Sequence, residues 1–125
     1  MGSPSRVTTL KKRAEYLRVR KGARCATPVF VLEAKARSHE DRVLPAGEPR
    51  FGFTITRQVG KAVERNRIRR RLKAAVRNVG PDHAKGDFDY VLIARRPALT
   101  SEFAALVSEL TRAFARVHRA PARMR

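Results

Sequence analysis

The spacing of apolar side chains predicts six regular elements in this chain. Recurrence every three to four residues is typical of helices that bury one face, whereas alternation or a short apolar run is typical of strands. On this basis we predict helices over 10–21, 61–79 and 100–117, and strands over 28–34, 51–56 and 90–94. This order of elements predicts an α+β or α/β sandwich around a small mixed sheet.

Local signals set the predicted ends of the helices. Gly22 ends the first helix, and Gly80–Pro81 stops the second, because glycine favours helix C-termini and proline cannot continue a helix. Thr100 or Ser101 can cap the third helix. The predicted apolar faces of the three helices are, in order, Leu10, Ala14 and Leu17; Ile68, Leu72, Ala75, Val76 and Val79; and Phe103, Leu106, Val107, Leu110, Phe114 and Val117.

The remaining segments are polar and are predicted to connect or flank the elements. We expect a flexible basic arm over 1–9, exposed loops over 38–49 and 82–87, and a frayed basic tail over 119–125. A single compact domain would then occupy residues 10–118, which is enough chain to bury a hydrophobic core.

The charge of the chain narrows the choice of partner. Its 29 Lys and Arg residues against 11 Asp and Glu residues give a formal net charge of +18. A compact body with this charge repels itself unless a polyanion neutralises it, and nucleic acid is the leading candidate. No apolar stretch is long enough for a membrane span or a signal peptide, so we expect a cytoplasmic protein. The single cysteine, Cys25, excludes an intramolecular disulfide and a cysteine-rich zinc site.

The second predicted helix carries the densest basic run. Arg65 to Arg71 contains five arginines around Asn66 and Ile68, and Lys73 and Arg77 follow. Like charges four residues apart destabilise a helix, and phosphates opposite them would reverse that cost. We therefore predict that this helix binds the phosphates of a nucleic acid.

The other clusters of reactive side chains do not form a recognisable catalytic site. His39-Glu40-Asp41 lacks the spacing of a zinc-protease motif, and Val59-Gly60-Lys61 lacks the glycines and hydroxyl of a phosphate-binding loop. His83 with Asp82, Asp87 and Asp89 is interpreted as a set of solvated turn residues. We predict neither catalytic side chains nor a metal site in the protein.

The order of several motifs resembles the bacterial ribonuclease P protein family. Gly60-Lys61-Ala62-Val63-Glu64-Arg65-Asn66-Arg67-Ile68-Arg69-Arg70 is similar to its "RNR" signature. The flanking elements are similar too, and they follow in the family's order. The family's first helix resembles Leu10-Lys11-Lys12 with Tyr16 and Val19. Its strands resemble Phe30-Val31-Leu32, 50–56 and 90–98. The resemblance spans most of residues 10–117.

This resemblance implies a fold and a division of labour. The fold would be a two-layer α-β sandwich, with a mixed four-stranded sheet, about three helices and a left-handed crossover. The RNR helix would bind the catalytic RNA, and a cleft between the first helix and the sheet would bind the 5′ leader of precursor tRNA. The implied residues are Lys61, Arg65, Asn66, Arg67, Arg69, Arg70 and Lys73 for the RNA, and Lys12, Tyr16, Arg20, Val31, Thr54, Thr56 and Arg57 for the leader.

The resemblance also implies the chemistry of the complex. The RNA subunit and its Mg²⁺ would cleave the precursor, and the protein would be a monomer bound to one RNA. Three positions depart from common family patterns. Arg20 stands where many relatives have a second aromatic residue, Glu33 lies near a strand position that is aromatic in some relatives, and Gln58 replaces a residue that is often basic. A structural RNA-binding protein such as a ribosomal protein fits the charge and size equally well. A protein-only nuclease would need a catalytic carboxylate cluster, which the sequence does not show.

Overall fold

Three helices and four strands make up the described part of the chain. The computed structural model describes residues 8–38 and 47–123, with side chains described as far as Arg119. The elements are α1 (Arg13–Val19), β1 (Ala23–Ala26), β2 (Phe30–Ala36), β3 (Arg50–Thr54), α2 (Ala62–His83), β4 (Phe88–Ala94) and α3 (Phe103–Arg123), with 3₁₀ turns at Arg57–Val59 and Arg96–Leu99. The prediction of an α+β fold with a mixed four-stranded sheet is confirmed. No helix in 8–38 or 47–123 is long and apolar enough to cross a membrane.

The four strands form one sheet in the order β1-β2-β4-β3. β1 and β2 form an antiparallel hairpin, β2 pairs antiparallel with β4, and β4 pairs parallel with β3. Parallel neighbours require a crossover connection, and here α2 supplies it. The left-handed sense implied by the resemblance remains a prediction for this connection.

The two faces of the sheet are covered unequally. One face packs against α2 and α3 and forms the main core, in which Phe30, Leu32, Tyr90 and Leu92 are fully buried. Among the described residues, the opposite face carries only the short helix α1, with a small cluster of Leu10, Val19 and Val91 and the partly buried Tyr16 and Ile93 beneath it. Beside α1, Thr54 and Ile93 are partly exposed, whereas Val31 and Val91 are buried.

The first helix is shorter than predicted, and a different face of it is buried. Leu10 lies in an extended segment beside β3, because its backbone N–H donates to the Phe51 carbonyl at 2.8 Å. Ala14 and Leu17 are exposed, whereas Val19 is buried and Tyr16 half-buried. The predicted apolar face of this helix is wrong for those two residues, since a seven-residue helix packs through a single turn.

The prediction that Gly80–Pro81 stops α2 is also wrong. The helix continues to His83, and the Ala84 backbone N–H donates to the Gly80 carbonyl at 2.8 Å. Pro81 destabilises the helix little because it lies in the last, exposed turn. Its missing N–H leaves the Arg77 carbonyl without a helical partner, and water can hydrogen-bond that carbonyl instead. The apolar stripe predicted for α2 is buried as expected, from Ile68 to Val79.

The third helix differs from the prediction at both ends. It begins at Phe103, and the Ser101 hydroxyl donates to the Pro97 carbonyl at 2.8 Å, so this side chain closes the preceding 3₁₀ turn and does not cap the helix. At the other end the helix runs to Arg123, into the stretch predicted as a frayed tail. Residues 1–7 of the arm predicted over 1–9, most of the 38–49 loop and residues 124–125 lie outside the described residues. Thr8 and Thr9, at the end of that arm, lie beside β3, where Thr9 forms a bridge with Phe51.

Candidate RNA-binding surfaces

The acidic residue in the first turn of α2, Glu64, is neutralised by its neighbours. The Glu64 carboxylate accepts hydrogen bonds from Arg96 at 2.9 and 3.2 Å and from the Lys61 backbone N–H at 2.9 Å. The Arg96 hydrogen bond, with that from Lys61, lowers the pKa of Glu64 to about 2. Since Arg96 follows β4, this ion pair also joins the end of β4 to the start of α2.

The residues predicted to bind the catalytic RNA lie on α2 and at its N-cap. We call this set the arginine face, and it comprises Lys61, Arg65, Asn66, Arg67, Arg69, Arg70 and Lys73. Arg67 and Arg70 are exposed and form no ion pair with any described residue. Arg65 Nε donates to the Gly60 carbonyl at 3.1 Å, and an Arg69 guanidinium nitrogen lies 3.3 Å from Asn66 Oδ1. The arginine face thus contains two arginines without an ion pair to a described residue and two whose guanidinium groups form hydrogen bonds near the start of the helix.

Two basic residues of α2 have structural contacts. Lys73 Nζ lies 5.9 Å from the centroid of the Phe53 ring, a cation–π distance. Arg71, which the sequence places on the flank of the basic face, is half-buried, and its Nε donates to the Ala98 carbonyl at 3.1 Å. Its Nη2 also contacts the Ser101 carbonyl. Arg71 therefore holds α2 against the turn that leads into α3.

The sheet face beside α1 brings together the central residues of the predicted cleft, of which Val31 is buried and Tyr16 and Thr54 are partly exposed. The Tyr16 ring lies on Gly52, where a Cβ atom would approach its Cε2 to 2.6 Å, so only glycine fits beneath the ring. One step along the strands, Val31, Ile93 and Thr54 are direct neighbours across β2, β4 and β3. We call this row, with Tyr16, the leader cleft.

The other predicted cleft residues lie around its margins. Lys12 precedes the first turn of α1 and Arg20 follows its last turn, and both are exposed. Thr56 and Arg57 lie beyond the end of β3 and are exposed too. The structure therefore places them on the path from the sheet to α2, and they do not line its centre.

Glu33 does not present a free carboxylate to this face. Its side chain is buried and accepts a hydrogen bond from Arg24 Nη1 at 3.0 Å on the neighbouring strand. The ion pair offsets the negative charge that the sequence places among the cleft strands. Leader phosphates would therefore meet a locally neutral pair there.

A buried ion network, which sequence reasoning missed, holds α1 on the sheet. The Asp89 carboxylate is fully buried and lies 2.6 Å from Arg18 of α1, 2.6 Å from Arg37 and 2.8 Å from Arg50. Burial raises the pKa of Asp89, but hydrogen bonds from the three arginines outweigh it and hold the pKa below its usual value. Glu15 of α1 adds a further contact to Arg50 at 3.3 Å.

The sequence offers little signal for this network. Asp89 resembles a polar residue of the preceding loop, and its partners are 39 to 71 positions away in the chain. The prediction that Asp89 is a solvated turn residue is wrong, because the carboxylate is fully buried at the start of β4. By fixing Arg18, the network sets where Tyr16 rests, and it is therefore part of the construction of the leader cleft.

The structure defines a strongly basic two-layer α+β protein with one arginine-rich helix, whose charge suits nucleic-acid phosphates. Comparison with known proteins gives the family. The family model described as Ribonuclease P matches residues 5–118. The chain belongs to the ribonuclease P protein family.

Individual relatives agree with this assignment. The chain is 45% identical over 115 residues to the ribonuclease P protein component of Brucella suis, covering 90% of this chain and 81% of that protein. The RNase P protein of Staphylococcus aureus superposes with a TM-score of 0.68 at 26% identity, over 90% of this chain and 98% of that one. The RNase P protein of Thermotoga maritima, at 23% identity, shares the fold with a TM-score of 0.71 over 87% of this chain and 96% of that one.

The family settles the general function. The chain is a protein subunit of a ribonucleoprotein endoribonuclease that matures the 5′ end of tRNA, and its partner is the ribonuclease P RNA. The resemblance noted from the RNR signature and its flanking strands is confirmed.

Proposed function

We propose that this protein contributes binding and positioning, and that the RNA subunit with its Mg²⁺ breaks the bond. The arginine face of α2 binds the ribonuclease P RNA, and the leader cleft binds the single-stranded 5′ leader of precursor tRNA. The observation that carries the proposal is the Tyr16 ring seated on Gly52 beside the row of Val31, Ile93 and Thr54. The protein acts as a monomer with one RNA.

The arginine face supports RNA binding through its unpaired charges. Arg67 and Arg70 project from one helix with no described carboxylate between them, and the pair between Glu64 and Arg96 removes the nearest negative charge. Each phosphate that such a side chain neutralises releases counterions, which makes the affinity fall with salt. One guanidinium group can also donate two hydrogen bonds to the oxygens of one phosphate. Arginines therefore favour a folded RNA surface on which phosphates are dense.

The leader cleft supports binding of a single strand by its mixture of groups. The half-buried Tyr16 ring can stack on a base, a contact worth about 1–3 kcal/mol that tolerates any sequence. Thr54 is partly exposed next to it and offers a hydroxyl to a phosphate or a 2′-hydroxyl group. Lys12 and Arg20, at the two ends of α1, place positive charges where they can attract the phosphate backbone of the leader.

The two surfaces together give a physical reason for substrate choice. A precursor reaches the leader cleft and the RNA at once, whereas mature tRNA lacks the leader. The extra contact raises the affinity for precursor, and positioning the leader places the scissile bond in the RNA active centre. The second surface therefore favours precursor over product without any protein side chain at the reacting bond.

The test is cleavage of a precursor tRNA at low Mg²⁺, with the protein and its own ribonuclease P RNA added separately and together. We expect cleavage at the leader junction only with the mixture. Arg67→Gln with Arg70→Gln should weaken RNA binding and lower the slope of log affinity against log salt by about 1.4–1.8. The matched control is Lys21→Gln with Lys85→Gln, two exposed cations outside both surfaces.

The leader cleft is tested separately with Tyr16→Ala. We expect a loss of affinity for precursor of at least about fivefold and little change for mature tRNA, since stacking is worth about 1–3 kcal/mol and is lost only with the leader. Leu17→Ala, an exposed neighbour on the same helix, is the control. Equal losses for precursor and mature tRNA would contradict the leader assignment, and cleavage by the protein alone would contradict the division of labour.

A further inference from the structure

A groove between β1 and α3 lies outside both surfaces described above. It has a volume of about 580 Å³ and is lined on one side by residues 24–27 of the β1 hairpin. Its other wall is α3, which presents Arg112, Arg116 and Arg119. The floor carries small side chains, among them Ala113 and Cys25, so a ligand backbone can approach closely.

The arginines of this groove repeat at helical spacing. Arg112, Arg116 and Arg119 are four and three residues apart, so they lie along one side of α3. Arg112 forms a 2.8 Å ion pair with Glu109, whereas Arg116 and Arg119 are exposed and have no ion pair with a described residue. No acidic side chain is among the described residues that line the groove. The groove therefore has a net positive charge available to an anion.

The edge of the sheet adds neutral donors to the same groove. Within the described ranges, β1 pairs only with β2, so its outer side is free. The Thr27 backbone N–H donates to the Phe30 carbonyl at 2.8 Å, and hydrogen-bonded pairs alternate along an antiparallel ladder. The backbone N–H groups of Ala26 and Arg24 therefore point away from β2, toward the free edge.

We propose that this groove binds an RNA phosphodiester backbone, as a third contact independent of the arginine face and the leader cleft. The leader cleft is on the opposite face of the sheet, and α3 packs on β1 and β2 while the arginine face belongs to α2. One RNA complex can occupy all three surfaces together. The inference rests on the proposed function only for the identity of the ligand as RNA, supplied by the ribonuclease P RNA or the precursor tRNA.

Cys25, the only cysteine of the chain, makes the groove directly measurable. Its alkylation by iodoacetamide is followed in the full-length protein alone, with saturating ribonuclease P RNA, and with saturating precursor tRNA. We expect at least a fivefold slower reaction with the RNA that fills the groove, which also identifies the source of the phosphodiester. The control protein is Cys25→Ala with Glu102→Cys, a thiol at the exposed start of α3, and its rate should not change.

A variant ties the protection to the arginines. Arg116→Gln with Arg119→Gln should abolish the protection of Cys25 and lower the salt slope of RNA binding by about 1.4–1.8. An unchanged alkylation rate with both RNAs bound, or an unchanged slope in this variant, would overturn the proposal. So would protection that appears without RNA as the protein concentration rises, since a second copy would then fill the groove. Intact precursor cleavage beside any of these results would leave the proposed function standing.

Discussion

Replacing Asp89 by Asn tests the buried network on which the position of α1 depends. The amide keeps the shape of the side chain but removes the carboxylate charge that Arg18, Arg37 and Arg50 share at close range. It also turns one acceptor atom into a donor that faces guanidinium donors. Arg37 is most affected, since only 1% of its side chain is exposed, whereas Arg18 at 22% can recover water.

The expected loss of stability is large. Removing one partner of a buried ion pair costs about 3–5 kcal/mol, because the remaining charge is left buried and uncompensated. We expect the lower end, about 3 kcal/mol, since Arg18 is partly hydrated and Arg50 retains Glu15. Against a typical total of about 5–15 kcal/mol, this loss lowers the melting temperature by about 10 °C.

Urea unfolding followed by circular dichroism measures the change directly. With a slope of about 1–3 kcal/mol per molar urea, the midpoint should fall by about 1–3 M. Glu109→Gln, which removes the exposed pair with Arg112, is the control and should shift stability by less than about 1 kcal/mol. A loss below 1 kcal/mol for Asp89→Asn would refute the reasoning that the network holds the fold together.

The same network predicts a dependence on pH. Because the pKa of Asp89 is lower in the folded protein than in the unfolded chain, its stabilisation is complete above the unfolded pKa and is lost as pH falls through the folded pKa. The difference in unfolding free energy between wild type and Asp89→Asn should therefore narrow in strong acid. A constant difference down to pH 2 would contradict this sign.

Three further changes test other contacts. Gly52→Ala puts a Cβ within 2.6 Å of the Tyr16 ring, so we expect a loss of about 1–3 kcal/mol in urea unfolding and weaker precursor binding, with stability restored by Tyr16→Ala. Tyr90→Phe removes a hydroxyl 2.7 Å from a histidine nitrogen and should cost about 1–2 kcal/mol in the same assay. In wild type, the Arg96 hydrogen bond lowers the pKa of Glu64 to about 2, so the stabilisation of the fold by ionised Glu64 is lost as pH falls from about 5 to 2. The melting temperature of Glu64→Gln should therefore decline less steeply than that of wild type over this range.

Helices and strands with strong periodicity could be predicted from the sequence. The stripe from Ile68 to Val79 and the run from Tyr90 to Ala94 each bury an extended apolar surface, so hydrophobic spacing alone fixes them. β1 has no such signal. Its sequence Ala-Arg-Cys-Ala forms a strand because the turn at Thr27 pairs it with β2, a tertiary effect that local propensity does not contain.

Of the candidate surfaces too, one could be predicted from the sequence alone and the others depend on tertiary structure. The arginine face could be predicted because its charges lie within one helix, where spacing in sequence equals spacing on the surface. The leader cleft joins α1 to three strands, and its residues came from the family resemblance and not from periodicity. The ion pair between Arg24 and Glu33 and the network around Asp89 depend on strand register, which pairs residues from distant parts of the chain.

The short segment at residues 8–10 has a consequence for self-association. Thr9 forms a parallel bridge with Phe51, and Phe51 exchanges backbone hydrogen bonds with Thr8 and Leu10, so the outer side of β3 is already partly paired. Exposed strand edges are where sheets aggregate, and this leaves only the four-residue β1 open within the described chain. That strand carries an arginine in a molecule of charge +18, which repels a second copy. The paired edge of β3 and the net charge of the protein therefore both oppose edge-to-edge association of two copies.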